Sequence, residues 1–224
     1  ITAAGEAAPG SRGSGGSGGG VFIDCHTFGG SPDGLIAVPG GDWGGFDIWM
    51  VAGMKLMDIH QGQLLRHTAK NNYTRGVWLD VDVADFLIDS CELSDNGLDG
   101  VFFEASQGPI TIRNSRLNNN AETGIRISNC DSINIIDNKI IGNGKAQIAM
   151  LAAGRTVRNW ETDTNMTLNL LNISIVGNTI AATAPDQALF GAHLPADKLK
   201  RMISTLKSSD NTWYSPDNEK AFLY

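Results

Sequence analysis

The sequence predicts an all-β protein, a right-handed parallel β-helix carrying a short C-terminal amphipathic helix. Three observations predict it. First, glycine-led segments recur at a fixed interval. Gly76-Val77-Trp78-Leu79-Asp80, Gly100-Val101-Phe102-Phe103-Glu104 and Gly124-Ile125-Arg126-Ile127-Ser128 are each 24 residues apart, with apolar residues at their second and fourth places. Alternation with period two is a strand with one buried face, and a fixed period of roughly 20–50 residues marks a repeat architecture. Second, another strand column runs between these: Phe86-Leu87-Ile88, Ile110-Thr111-Ile112, Ile133-Asn134-Ile135 and Ile173-Ser174-Ile175. Third, small polar residues fall in register at the bends. Cys91, Ser115, Asn138 and Asn178 form one set, and Asn72, Asn96, Asn120 and Asn143 another. Stacked polar side chains at bends bond the neighbouring coil and satisfy turn backbone groups.

In chain order, residues 1–20 are Gly- and Ser-rich and read as a flexible segment. Val21-Phe22-Ile23 reads as a short strand opening a β-helix that spans residues 21–183. Residues 27–47, rich in Gly, Pro and Asp, read as an irregular loop with Trp43 and Trp49 in or beside it. The regular coils begin near Gly53, with Gly53-Met54-Lys55-Leu56-Met57 preceding the Gly76 segment by 23 residues. Residues 154–170 break the period and read as an insertion between coils. Residues 184–224 read as a helix plus a capping segment. Leu199, Met202, Ile203 and Leu206 have helical spacing after Pro195, and Asn211–Pro216 is non-repetitive and expected to cover the last coil.

Composition narrows the function. A net charge of -7 argues against nucleic acid, whose phosphates call for a basic face. No apolar run approaches the ~18 residues of a membrane span. The chain starts at Ile1 without a signal-peptide pattern and reads as a mature product or a fragment. Cys25, Cys91 and Cys130 lack metal-ligand spacing, and Cys91 reads as a buried thiol.

Alternation sends Val77, Leu79, Val101 and Phe103 inward, and Trp78, Asp80, Asp82, Phe102 and Glu104 outward. Neighbouring parallel strands lie ~4.8 Å apart, so Asp80 and Glu104 become direct neighbours. Retaining glycosidases separate nucleophile and acid/base by roughly 5–5.5 Å. Two carboxylates this close push their proton affinities apart, leaving one ionised and one able to hold a proton. The alternative for the pair is a solvated acidic surface, against which stands the cost of like charges directly opposite on a sheet. Exposed Trp78 and Phe102 are expected to offer flat apolar faces to a sugar. Lys55, one coil before Trp78, is a candidate for a sugar hydroxyl or carboxylate, and Arg126, one coil beyond Phe102, for orienting Glu104 or binding substrate. Asp82 is a third acidic candidate for substrate. No dedicated calcium loop is present, and His60 and His67 read as structural, His67 facing inward.

Tyr73-Thr74-Arg75-Gly76-Val77-Trp78-Leu79-Asp80 followed by Val101-Phe102-Phe103-Glu104-Ala105-Ser106-Gln107-Gly108-Pro109 resembles the core of the parallel β-helix β-xylosidases of glycoside hydrolase family 120, in the pectin-lyase-like superfamily. The resemblance covers about residues 53–117. It implies a retaining mechanism with Asp80 as nucleophile and Glu104 as acid/base, without cofactor or metal. Val81-Asp82 departs from the Trp-Met of that family, so substrate choice does not transfer. The expected partner is an oligo- or polysaccharide, not nucleic acid or membrane, together with the remainder of a longer chain or further copies of this one. The expected location is extracellular or periplasmic. Two rival classes share the fold: a polysaccharide lyase or uronate epimerase, which needs a base and a charge neutraliser, and a non-catalytic carbohydrate-binding module.

Overall fold

A computed structural model describes residues 21–23, 51–159, 161–217 and 219–223 of the chain. The expected flexible segment 1–20, the irregular loop 27–47, Trp43, Trp49 and Cys25 lie outside the described residues. The strands, in chain order, begin with β1 (Val21–Ile23), β2 (Ala52–Met57), β3 (Gln63–Leu65), β4 (Arg75–Asp80), β5 (Phe86–Asp89), β6 (Asp99–Glu104), β7 (Ile110–Arg113) and β8 (Arg116–Asn118). They continue with β9 (Thr123–Ser128), β10 (Ile133–Ile136), β11 (Lys139–Ile141), β12 (Ala146–Met150), β13 (Arg155–Asn159), β14 (Thr164–Leu168), β15 (Ser174–Val176), β16 (Thr179–Ala181) and β17 (Ala188–Ala192). Helix α1 (Ala196–Thr205) precedes β18 (Lys207–Ser209), β19 (Thr212–Tyr214) and β20 (Phe222–Leu223).

These strands form a parallel β-helix. One wall has eight strands in the order β1-β2-β4-β6-β9-β12-β17-β20, a second has six in the order β18-β15-β10-β7-β5-β3, and a third has four in the order β19-β16-β11-β8. Each sheet neighbour is one coil away in sequence, as the period predicts. Val77, Val101 and Ile125 stack, as do Leu79, Phe103 and Ile127, and all six are fully buried. Burial at ~25 cal/mol per Å² of apolar surface is what holds successive coils together.

The bends are held by side-chain ladders. The Asn72 and Asn96 side-chain amides donate to Asn96 Oδ1 and Asn120 Oδ1 at 2.8 and 2.9 Å, and the series runs on through Asn143 to Gln147. The Cys91 backbone N–H donates to Ser115 Oγ, Ser115 N–H to Asn138 Oδ1, Asn138 N–H to Asn178 Oδ1 and Asn178 N–H to Asn211 Oδ1. The ladder explains the recurring glycine. A Cβ on Gly76 would lie 2.9 Å from Asn96 Nδ2 and 2.6 Å from the Gly100 carbonyl oxygen, so the strand start has no room for a side chain. Cys91 and Cys130 are buried free thiols. His67 is buried beside the second ladder, and burial pushes its pKa down to about 4.

Three expectations are refined. The period break at 154–170 is an antiparallel hairpin, β13 with β14. Parallel pairing continues past residue 183, where the sequence reading ended the solenoid. β17, β18, β19 and β20 each extend a wall, so the non-repetitive C-terminal segment builds coil rather than covering one. Helix α1 forms where expected and buries Met202, with Leu199 and Leu206 packed against the core, but Ile203 is 52% exposed. Ile203 follows Met202 by one residue, ~100° around the helix, which carries it off the inner face.

Candidate active site

The site lies on the outer face of the eight-stranded wall, at the C-terminal ends of β4 and β6. The register pairs Lys55 with Trp78, Trp78 with Phe102 and Phe102 with Arg126, and one column over pairs Met57 with Asp80, Asp80 with Glu104 and Glu104 with Ser128. The two carboxylates therefore stand on neighbouring strands, ~4.8 Å apart at the backbone. Lys55 Nζ contacts Asp80 Oδ2 at 2.8 Å, and Asp80 Oδ1 is buried with no hydrogen-bond partner among the described residues. Glu104 is reached from the other side by Arg155 of the hairpin, Nη1 to Oε1 at 3.0 Å. Burial raises the Glu104 carboxyl above the usual carboxylate range, and the charge of Asp80 raises it further. Arg155, Lys55 and Arg75 oppose the rise without cancelling it. Desolvation and a like charge are the two ordinary causes of a carboxyl that holds its proton.

The aromatic pair is not exposed as the sequence reading expected. Trp78 and Phe102 stack at 5.3 Å between centroids and are 2% and 3% exposed. Three cations surround them: Lys55 Nζ sits 3.5 Å from the Trp78 ring centroid, Arg75 lies 4.8 and 5.1 Å from the two rings, and Arg126 lies 5.9 Å from Phe102. Such cation–π contacts gain strength when desolvated, so the outward rings are covered rather than offered. The indole Nε1 of Trp78 is also buried, without a hydrogen-bond partner among the described residues.

Arg126 does not orient Glu104. Its guanidinium binds Asp99 at 3.0 Å and Glu122. Asp99 is fully buried and also takes Arg75 at 3.1 Å and the Thr123 hydroxyl at 2.6 Å, which fixes the guanidinium of Arg75 beneath the rings. Asp82, expected to face outward, is fully buried. Val81 and Asp82 both adopt left-handed φ, 47° and 55°, which turns the chain away from strand alternation. The Asp82 carboxylate accepts Gln107 Nε2 at 2.7 Å and lies 3.5 Å from His60 Nε2. His60, read as structural, links Asp82 to Glu161 of the hairpin, whose carboxylate lies 3.1 Å from its Nδ1.

Sequence reasoning missed Arg75, Asp99, His60, Gln107 and Arg155. Arg75 and Asp99 carried a usable signal, opposite charges one coil apart at equivalent places. The hairpin contacts carried none. The hairpin is seated by Val157, Leu168 and Met166 on Val81 and Ala105, the residues that follow the two carboxylates, and Asn129 Oδ1 accepts the Arg155 N–H at 3.0 Å.

The family model described as right handed beta helix region matches residues 43–180. The chain belongs to the right-handed β-helix family. No curated protein sequence matches it. Similar solved structures include the periplasmic alginate epimerase AlgG (TM-score 0.52, 19% identity, 77% of this chain and 36% of that one). They also include two Azotobacter vinelandii mannuronan C-5 epimerase A-modules. AlgE4 has a TM-score of 0.58, 19% identity and 76% of this chain against 45% of that one, and AlgE6 has 0.55, 18%, 72% and 48%. The family member described here spans less than half of each of these chains, and at these identities the likeness is one of fold. No helix among its described residues is long and apolar enough to cross a membrane.

Proposed function

We propose that this β-helix protein is a retaining glycoside hydrolase, β-xylosidase-like, acting on carbohydrate outside the cytoplasm. The observation that carries the reading is the Asp80–Glu104 register, with Glu104 held above the ordinary carboxylate range. Asp80, steadied through Oδ2 by Lys55, attacks the anomeric carbon. Glu104 gives its proton to the departing glycosidic oxygen as that bond breaks. Glu104, now a carboxylate, takes a proton from water; the oxygen attacks the anomeric carbon and Asp80 is released. Trp78 and Phe102, covered by Lys55, Arg75 and Arg126, back the carboxylates from within, Asp99 holds Arg126 there, and buried Asp82 holds His60 on the hairpin side.

Alanine variants of the two carboxylates test it. Asp80→Ala loses nearly all turnover of aryl glycosides. Glu104→Ala retains more activity on substrates with a good leaving group, and azide rescues it by attacking the intermediate without a general base. Equal activity in wild type and both variants overturns the reading and leaves a carbohydrate-binding module.

The solved structures of similar fold favour a second reading, uronate epimerisation or elimination, since all three act on alginate or mannuronan. That chemistry needs a base and a cation free for the substrate carboxylate. Here Lys55 and Arg155 already bind Asp80 and Glu104, and an anionic sugar would meet those carboxylates. Incubation with mannuronan separates the two: an unsaturated uronate absorbance or inversion at C5 replaces the hydrolase reading.

A further inference from the structure

A second site lies away from the carboxylate pair, at the corner where the four-stranded wall turns into the eight-stranded one. One residue on from the asparagine ladder, successive coils carry Tyr73, Gly97, Ala121 and Gly144. Tyr73 is large and the other three are small. A Cβ on Gly97 would fall 2.0 Å from the Tyr73 carbonyl oxygen, and one on Gly144 2.2 Å from that of Ala121, so this strip is floored by backbone. The Tyr73 ring, 48% exposed, stands at one end of the strip. One residue before the ladder, Asn71, Asp95 and Asn119 adopt left-handed φ of 56°, 58° and 56°, a region that Asn and Asp tolerate well, and all three are exposed. They form a polar rim that repeats every coil, ~4.8 Å. The Tyr73 ring, the Gly97 and Ala121 part of the floor and the rim line an open groove of about 710 Å³.

We infer that this groove is a second carbohydrate-binding site, taking a neutral glycan chain laid along the solenoid axis. The ring offers a flat apolar face for a pyranose. The rim offers side-chain amides and a carboxylate, which can donate to and accept from hydroxyls. The rim charge is balanced, because Asp95 is already paired with Lys70 at 3.1 Å; an anionic chain finds no free cation in the lining. Asn119 also reaches Asp95 at 3.4 Å, so neighbouring coils present linked polar groups rather than isolated ones. The whole length of β4, ~20 Å at ~3.3 Å per residue, separates Tyr73 from Asp80, so the groove acts as an anchor for a polymer and takes no part in bond cleavage.

The inference takes its choice of probe from the carbohydrate reading of the carboxylate site, but its test reads binding alone. Calorimetry is run on the full chain carrying Asp80→Asn, which prevents consumption of the ligand by the proposed nucleophile. The probes are β-1,4-xylohexaose, cellohexaose and hexamannuronate. At least one neutral hexasaccharide binds, and Tyr73→Ala weakens it roughly tenfold, as loss of an aromatic anchor does. Ala121→Phe, at an exposed position, fills the groove and weakens it as much. Thermal melts within a few degrees of the parent show that both variants fold. Binding unchanged by both variants, preference for hexamannuronate, or no binding of any hexasaccharide overturns the inference. Absence of aryl glycoside turnover in the wild type would instead count against the hydrolase reading, whatever the groove does.

Discussion

Removal of the Arg155 side chain is the sharpest test of how the site sets its acid. Arg155 contacts Glu104 at 3.0 Å and is among the cations that hold the Glu104 carboxyl down against burial and the charge of Asp80. Its backbone is anchored independently, by Asn129 and by the Val157–Leu168 cluster, so Arg155→Ala leaves the hairpin in place. The Arg155 side chain is 44% exposed and Glu104 is 20% exposed, so solvent screens the pair. Pairs of this exposure are worth ~0.2–1 kcal/mol. Loss of Arg155 therefore moves the Glu104 carboxyl further upward. A general acid works while protonated, so the basic limb of kcat/KM, which reports the free enzyme, shifts to higher pH. Arg155→Lys, which keeps the charge, shifts it less. The assay is a pH profile on an activated aryl glycoside. A basic limb that stays put in Arg155→Ala, or moves to lower pH, would refute the assignment of Glu104 as the acid.

Further outcomes follow from the same contacts. Glu104→Gln raises the melting temperature at pH 7: the folded-state carboxyl is raised, its stabilisation is full below the unfolded pKa and is lost as pH rises, and an amide stays neutral throughout. His67 behaves in the opposite sense. With its pKa lowered from 6.5 to about 4 by burial, the fold loses stability as pH falls from about 6.5 to 4, and His67→Asn flattens that part of a denaturation-versus-pH curve. Asn120→Ala strands the Asn96 N–H, takes from the Asn96 side-chain amide one of its two acceptors, and removes the Asn120 amide donor from the Leu93 carbonyl, so chemical denaturation reads a loss of at least the ~1–3 kcal/mol that one buried unsatisfied group costs. Lys55→Met takes from Asp80 Oδ2 its 2.8 Å cation contact and is expected to lower kcat more than it raises KM, because the residue positions the nucleophile.

Much of this molecule is legible in its sequence because a solenoid makes distance along the chain a proxy for distance in space. A 24-residue interval means one strand spacing, and alternation says which side chain faces out. Those two rules bring Asp80 beside Glu104 and send Val101 and Phe103 into the core. They fail where the chain leaves the period. Val81 and Asp82 take left-handed φ, which no propensity of valine announces, and Asp82 is buried as a result. Arg155 and Glu161 reach Glu104 and His60 across 51 and 101 residues, from a hairpin with its own antiparallel register. The misplaced exposure of Trp78 and Phe102 has a different cause. Alternation fixes that a ring points outward, but not whether charged neighbours close over it, and here the ammonium of Lys55 and the guanidinium groups of Arg75 and Arg126 do so.

A β-helix can place two carboxylates one strand apart on any outward column, so adjacency alone does not make a site. What distinguishes this pair is the asymmetry around it. Along its column the neighbours are Met57 on one side and Ser128 on the other, so the two acids face each other and no third. Like charges directly opposite on a sheet are destabilising, and a surface without use for them has every reason to lose one. Here the fold offsets the repulsion unequally. Lys55, from the preceding coil of the regular solenoid, holds Asp80 at 2.8 Å, while Arg155, from the inserted hairpin, holds Glu104 from a more exposed position. The regular part of the chain thus steadies the group assigned to attack, which needs a fixed direction. The irregular part governs the group assigned to trade protons, whose strength must match the leaving group. On this argument, changes in the hairpin alter which leaving groups and pH values the site tolerates, and changes around Lys55 and Trp78 alter whether it works at all.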